Sequence, residues 1–221
     1  MRFTAGLPDP AASPVKRRLI VSADDLGLHE AINTGVVAAH EEGIVTAASM
    51  VACGRAFEDA CRLVRNRPQL DLGIHLTLIE EKPLLSPSEL KTLAPRGRLP
   101  ATYRHLFLGL MRRRIDLNEV EKELGAQIQK VLDAGLAVSH LDSHQHAHFF
   151  PPLRPVLFRL AERHQIRGLR AGARVRPRGT KFSLLLGPLA RSLQAVARAR
   201  DRSGSWRGVG CWAMCGCSAP E

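Results

Sequence analysis

Short apolar, β-branched runs alternate along this chain with longer stretches in which apolar residues recur every three to four positions. The first run, RLIVSA at 18–23, has the character of a buried parallel strand and ends directly in Asp24-Asp25. Ile32, Val36, Val37 and Ala39 then fall at helical spacing over 29–42, with Gly43 placed to cap that helix. The alternation returns as a strand at 44–52 and a helix at 55–67, then as a strand at 70–78. A helix over roughly 116–134 precedes a strand at 136–143, and a helix from Pro151 to His164 precedes a fifth strand at 166–171. Strands alternating with helices predict an α/β fold with a parallel sheet, open or closed into a barrel.

Two stretches depart from this rhythm. Between Glu80 and Tyr103 the pattern lapses into Pro83, Pro87, Pro95 and Pro100 with scattered Leu, a long loop of the kind that serves as a lid or a substrate-binding insertion. Residues 180–200 place Leu185, Leu189, Leu193, Val196 and Ala197 on one side and Arg191, Arg198 and Arg200 elsewhere. Such a basic amphipathic helix packs on the sheet in the simpler reading, and makes peripheral contact with a membrane surface in the other. The Pro-punctuated residues 1–17 lack the apolar core of a signal peptide and read as a flexible tail. That missing core makes a cytoplasmic location the expectation, and no stretch approaches the ~20 apolar residues of a membrane span.

A length of 221 residues, 45% of them hydrophobic, suits one domain with a sizeable core and is too short for two large ones. The net charge of +11 would suit anionic partners. Arginine is spread along the chain, however, with one tight run at Arg112, Arg113 and Arg114, so a solvated basic surface is the plainer reading and no nucleic-acid partner is assigned. The five cysteines, Cys53 and Cys61 in the body and Cys211, Cys215 and Cys217 near the end, lack both the paired spacing of a disulfide framework and the fourth ligand of a structural zinc site.

Chemistry concentrates at three expected strand ends. Asp24 and Asp25 follow the first, His75 lies in GIHLT, and His140, Asp142, His144, His146 and His148 crowd the fourth. Parallel α/β folds gather strand C-termini on one face, so residues far apart in sequence can converge there. In HLDSHQHAH the polar residues occupy every second position, and a period-two strand would point them all to one face. Burying that face is costly unless a cation or hydrogen bonds satisfy it. One carboxylate with two imidazoles suits a divalent ion and leaves positions open for water and substrate, while an adjacent acid can serve as a base. Taken singly, each feature has an ordinary explanation: an Asp-Asp pair caps a helix, a lone histidine bonds within a core, and His146 and His148 lie in the following loop. His29, His40, His105 and His164 have no partner pattern and receive no role.

The segments RRLIVSADDLGLHEAINTGVVAAHEEGIVTAASMVACGRAFEDA, LDLGIHLTL and SHLDSHQHAHFFP together resemble the YdjC-like deacetylases, in family order, over roughly residues 17 to 172. The stretch LGLHEAINTGVVAAHEEGIVTAASMVA is most similar to the hopanoid-biosynthesis-associated branch. This resemblance implies a deformed (β/α) barrel that hydrolyses an N-acetyl group on a glucosamine unit and releases acetate. It implies Asp24 as catalytic base, Asp25, His75 and His144 as ligands of a divalent metal ion (zinc, cobalt or magnesium), and Asp142 as a carboxylate that orients an imidazole. The implied partner is an acetylated amino sugar or a glycolipid such as a glycosylated hopanoid. A metal-dependent phosphoesterase and a truncated non-catalytic binding protein are the competing readings; two-metal phosphoesterases need more bridging carboxylates than the motifs supply. Family members usually run some tens of residues longer. Residues 201–221 hold both tryptophans and three of the five cysteines without periodicity, a composition shift typical of an out-of-frame reading. The domain is therefore expected over 18–200, incomplete at its C-terminus, with 201–221 an atypical tail.

Overall fold

The computed structural model describes residues 19–170 and the backbone of Ala213–Met214. The tail at 1–17, the basic stretch at 180–200, the cysteines at 211, 215 and 217, and the rest of 201–221 lie outside the described residues. The elements are β1 (Val21–Leu26), α1 (Glu30–Glu41), β2 (Ala47–Met50), α2 (Phe57–Arg65), β3 (Asp71–Leu76), α3 (Tyr103–Met111), α4 (Leu117–Asp133), β4 (His140–Ser143), α5 (Arg154–Arg163), β5 (Gly168–Leu169) and β6 (Ala213–Met214). Two 3-10 turns, His144–Phe149 and Pro151–Leu153, join β4 to α5.

All strand pairs are parallel, in the order β5-β4-β3-β2-β1-β6. Five strands stand side by side in chain order, the winding of a (β/α) barrel wall, whereas a doubly wound sheet reverses its order partway. β6 takes the free edge of β1, the position that the last strand of a closed barrel occupies. The strands meet the helices through Leu26, Met50, Ile74, Leu76 and Leu141, all essentially inaccessible to solvent. From the helices come Phe57, Ala60 and Val64 of α2, Val120, Leu124, Ile128 and Val131 of α4, and Val156, Leu157 and Leu160 of α5. Each buried Leu or Ile contributes about 1.5–3 kcal/mol relative to exposure.

The expected alternation holds, with informative departures. β1 starts later than the apolar run and includes both acids. Ala23 and Leu26 are three positions apart while their partners Ala48 and Met50 are two apart, so β1 bulges at Asp24 and Asp25. Asp25 takes φ 65°, a left-handed conformation that Asp tolerates better than most residues. Gly27 follows at φ 91°, where an added Cβ would press on the Val51 carbonyl. Its N–H donates to the buried Asn33 side chain (2.7 Å), which in turn donates to Ala56 O and Asp59. One asparagine thus ties the loop after β1 to the loop after β2.

α3 had no counterpart in the sequence pattern; it is short, capped by the Thr102 hydroxyl, and buries only Leu106 and Leu110. The alternation in HLDSHQHAH also fails as strand geometry. β4 stops at Ser143, and Gln145 (φ 48°) and His146 (φ 56°) turn the chain, so the five polar side chains do not share one strand face.

The Pro-rich loop is fastened along its length by α4, which the reading as a lid did not anticipate. Glu119, Glu123 and Gln127 lie on one helical face at four-residue spacing, and all three are buried. Glu119 accepts from Thr92 N, Thr92 Oγ1 and Leu93 N; Glu123 accepts from Leu84 N and Leu85 N; Gln127 exchanges bonds with both backbone groups of Thr77. Leu90, Leu93, Ala94 and Leu99 of the loop are buried beneath.

Glu123→Ala would leave two backbone donors and one N–H of the Gln127 amide unsatisfied in the interior, so a loss of about 3 kcal/mol in urea denaturation is expected. Burial disfavours ionised Glu119, but the Leu93 and Thr92 donors outweigh that and hold its carboxyl below the ordinary value of 4.5. Its contribution is therefore complete above that value and is lost as pH falls through the lower folded-state value. Urea midpoints followed from neutral to about pH 3 should fall more steeply in the parent chain than in Glu119→Gln.

Candidate metal centre

The register of the sheet delivers the polar groups to one end. His75 stands opposite Asp142 across β3 and β4, Ser49 of β2 stands beside Gly73 of β3, and Arg170 follows β5 directly. The β1 bulge turns Asp24 and Asp25 into the same region, the re-aiming that bulges provide beside functional sites. His144 is the first residue beyond β4.

Asp25 Oδ1 is the meeting point, 2.8 Å from His144 Nδ1 and 3.3 Å from His75 Nε2. One ligand atom from each of Asp25, His75 and His144 lies within 4.8 Å of the others. The two rings meet edge to face, with centroids 5.5 Å apart. His75 is buried, whereas the side chains of Asp25 and His144 remain 28% and 17% exposed, so the centre opens to solvent on one side. A second cluster, Asp24, His75 and Asp142, is equally compact but its oxygens are engaged. Asp142 Oδ1 takes His75 Nδ1 at 2.7 Å and its Oδ2 takes Arg170 at 2.9 Å. Asp24 receives the same Arg170 nitrogen on both oxygens (2.9 and 2.7 Å) and the Ser49 hydroxyl at 3.3 Å. Ser49 Oγ also lies 3.0 Å from His75 Nδ1.

The electrostatics favour positive charge at the meeting point. Burial opposes ionisation of Asp25, but hydrogen bonds from His144 and His75 prevail and hold its carboxyl well below the usual range. Burial likewise opposes protonation of His75, yet Asp142 and Asp25 push it well above an ordinary histidine. His144 is raised in the same way by Asp25 against its own desolvation. The set of one carboxylate and two imidazoles, with solvent on one side, fits a catalytic rather than a closed structural metal ion.

Of the residues singled out from sequence, Asp24, Asp25, His75, Asp142 and His144 come together. The other histidines of HLDSHQHAH do not join the trio. The His140 ring lies over Gly73, where any Cβ would collide with it, and its Nδ1 is 2.7 Å from Ser139 Oγ. His146 and His148 pack on Phe149, and the His148 N–H and Nδ1 both engage Ser143 Oγ, bracketing the turn that carries His144. His29 caps α1 and His40 bonds Val45 O.

Sequence reasoning missed Arg170 and Ser49. Arg170 is 5% exposed and is the cation that joins Asp24 to Asp142. The available signal was a charged residue closing an apolar strand on the face where the acids gather.

Fold and site together define a parallel α/β protein with a candidate metal centre at its C-terminal strand ends. The chain belongs to the YdjC-like protein family, whose model matches residues 18–208. It is 39% identical over 165 residues to the carbohydrate deacetylase of Halalkalibacterium halodurans, covering 75% of this chain and 68% of that one. It is 36% identical over 155 residues to the carbohydrate deacetylase of Brevibacillus brevis and 38% identical over 150 residues to that of Listeria monocytogenes serotype 4b. Those matches cover 67% of this chain in both cases but only 57% and 59% of the relatives, so the chain spans little more than half of their length. A crystal structure from Enterococcus faecalis V583, named for cellobiose-phosphate cleavage, superposes with a TM-score of 0.63 at 25% identity, over 88% of this chain and 80% of that one. Among the described residues no helix is long and apolar enough to cross a membrane.

Arg170→Met should cost about 3 kcal/mol in denaturant unfolding, because it strands the buried Asp142 carboxylate beside Asp24 without their shared cation.

Proposed function

We propose that this chain is a divalent-metal-dependent hydrolase that removes the acetyl group from an N-acetylglucosamine-containing carbohydrate. Asp25, His75 and His144 hold the ion and Asp24 is the base. The observation that carries the reading is the meeting of His75 and His144 on one oxygen of Asp25, with the carboxylate of the preceding residue, Asp24, clamped by Arg170 beside it. The carbohydrate-deacetylase names of the bacterial relatives supply the substrate class.

In this reading each side chain has a defined task. Asp25, His75 and His144 would hold a divalent ion, which when bound would supply Lewis-acid activation of a water and of the acetyl carbonyl. Asp142 accepts from His75 Nδ1 and so leaves Nε2 directed at the centre, the arrangement that fixes the tautomer of a ligating histidine. Asp24 takes a proton from the attacking water. Its Oδ1 accepts from both Arg170 and Ser49, whereas Oδ2 accepts only from Arg170 and keeps a lone pair for this purpose. The new C–O bond forms at the acetyl carbon, the C–N bond breaks, and the proton held by Asp24 passes to the departing amine. Acetate and a free amino sugar result. A glycosylated hopanoid is the finer substrate proposal, resting on the resemblance of the 26–52 stretch.

A second reading comes from the solved relative named for cellobiose-phosphate cleavage, in which a sugar phosphate would occupy the same cleft. The single carboxylate among the three ligands favours the amide substrate over a two-metal phosphoester mechanism.

Acetate release should be measured from chito-oligomers and from a glycosylated hopanoid after chelation and re-addition of zinc, cobalt or magnesium, with phosphate release from a disaccharide phosphate in parallel. Metal-dependent acetate release that falls about 100-fold or more in Asp24→Asn, with metal content unchanged, is the expected outcome. Phosphate release without acetate release would install the second reading instead.

A further inference from the structure

The two ligand histidines approach Asp25 through different ring nitrogens, His75 through Nε2 and His144 through Nδ1. The far nitrogen of His75 is held by Asp142. The far nitrogen of His144, Nε2, lies 3.5 Å from Glu80 Oε2, an ion-pair separation. Glu80 belongs to the fastened loop, and its other oxygen accepts from the Gln145 side chain at 3.3 Å, the residue directly after His144.

The backbone at Glu80 is unusual. Its φ is 67°, and Glu81 N–H donates to Ile79 O at 2.7 Å, so Glu80 sits at the centre of a three-residue turn that side chains other than glycine adopt only with strain. Glu80 N–H is fixed on Pro100 O at 3.0 Å and Leu99 N–H on Glu81 O, tying the turn to the far end of the same loop. Glycine would hold this turn at lower cost, but glycine has no carboxylate to present to His144.

The geometry points to Glu80 as a positioning residue for the metal centre: its carboxylate holds the outer nitrogen of His144 and thereby keeps Nδ1 on the ion, as Asp142 does for His75. This inference rests on the metal-centre reading above. Carboxylate partners of ligating histidines are typically worth 10- to 100-fold in metal affinity. The Glu80 side chain is 47% exposed, so the lower end of that range applies.

The test is cobalt(II) binding to the full chain, read by competition with a chromophoric chelator and by the visible absorption of the bound ion. Glu80→Ala and Glu80→Gly should bind cobalt about tenfold more weakly and shift the absorption band as the His144 ligand loosens. Glu80→Gln should recover part of the loss. Glu80→Gly should melt no lower than the parent, because it relieves the positive φ, so weaker binding with intact stability separates positioning from a structural role. Glu81→Gln removes the same charge one residue along, within electrostatic reach of His144, and should change affinity less than Glu80→Gln does. Parent-like affinity and spectrum in Glu80→Ala and Glu80→Gly would overturn the inference alone. Failure of the parent chain to take up cobalt would overturn the metal-centre reading, and the inference with it.

Discussion

Arg170 and Asp142 are both buried, and each needs the other. An unpaired charge in a protein interior costs several kcal/mol, comparable with the whole stability of a small domain. Here the charges form a chain: His75 to Asp142, Asp142 to Arg170, and Arg170 to Asp24. The four residues come from β3, β4, the end of β5 and the β1 bulge, so neutralising them fixes the C-terminal ends of four strands relative to one another. The proposed ligand trio inherits that rigidity, because His75 belongs to the charge chain and Asp25 is covalently next to Asp24. Packing beneath the sheet sets where the strands lie. The charge chain sets how their ends face.

Much of this arrangement is legible in the sequence, for a physical reason. A buried parallel strand must be apolar on both faces, so a polar residue at its end stands out against an apolar background. Asp24, Asp25 and His75 were visible in this way, and the helix over Leu117–Asp133 declared itself through its four-residue periodicity. The resemblance to the family then gave the expected roles, Asp25, His75 and His144 as ligands and Asp24 as base. The β1 bulge was not legible, since one extra residue in a strand leaves no compositional mark and emerges only from pairing with β2. The repeated histidines misled for the opposite reason: alternation is informative only while the chain stays extended, and this chain turns at Gln145. Arg170 was hidden because its partners are 146 and 28 residues away in sequence.

The loop between β3 and α3 illustrates a further limit. Proline and scattered leucine describe a segment without regular structure, but not whether its backbone donors meet water or protein. That depends on Glu119, Glu123 and Gln127, which in sequence look like the solvated face of an amphipathic helix. They are buried because the loop lies over them. Their polar atoms substitute for water in the loop's hydrogen bonding, so a segment with little regular structure can form a fixed wall beside the centre.

Asp24 and Asp25 occupy one bulge and are separated by one peptide bond. In the proposed assignment, the group that grips the ion and the group that moves the proton therefore share a backbone hinge. Neither can drift toward a new substrate geometry without carrying the other. On the proposed reaction, a descendant of this chain that changes its sugar substrate has little freedom to adjust the sheet, and far more in the side chains displayed by the loops around it.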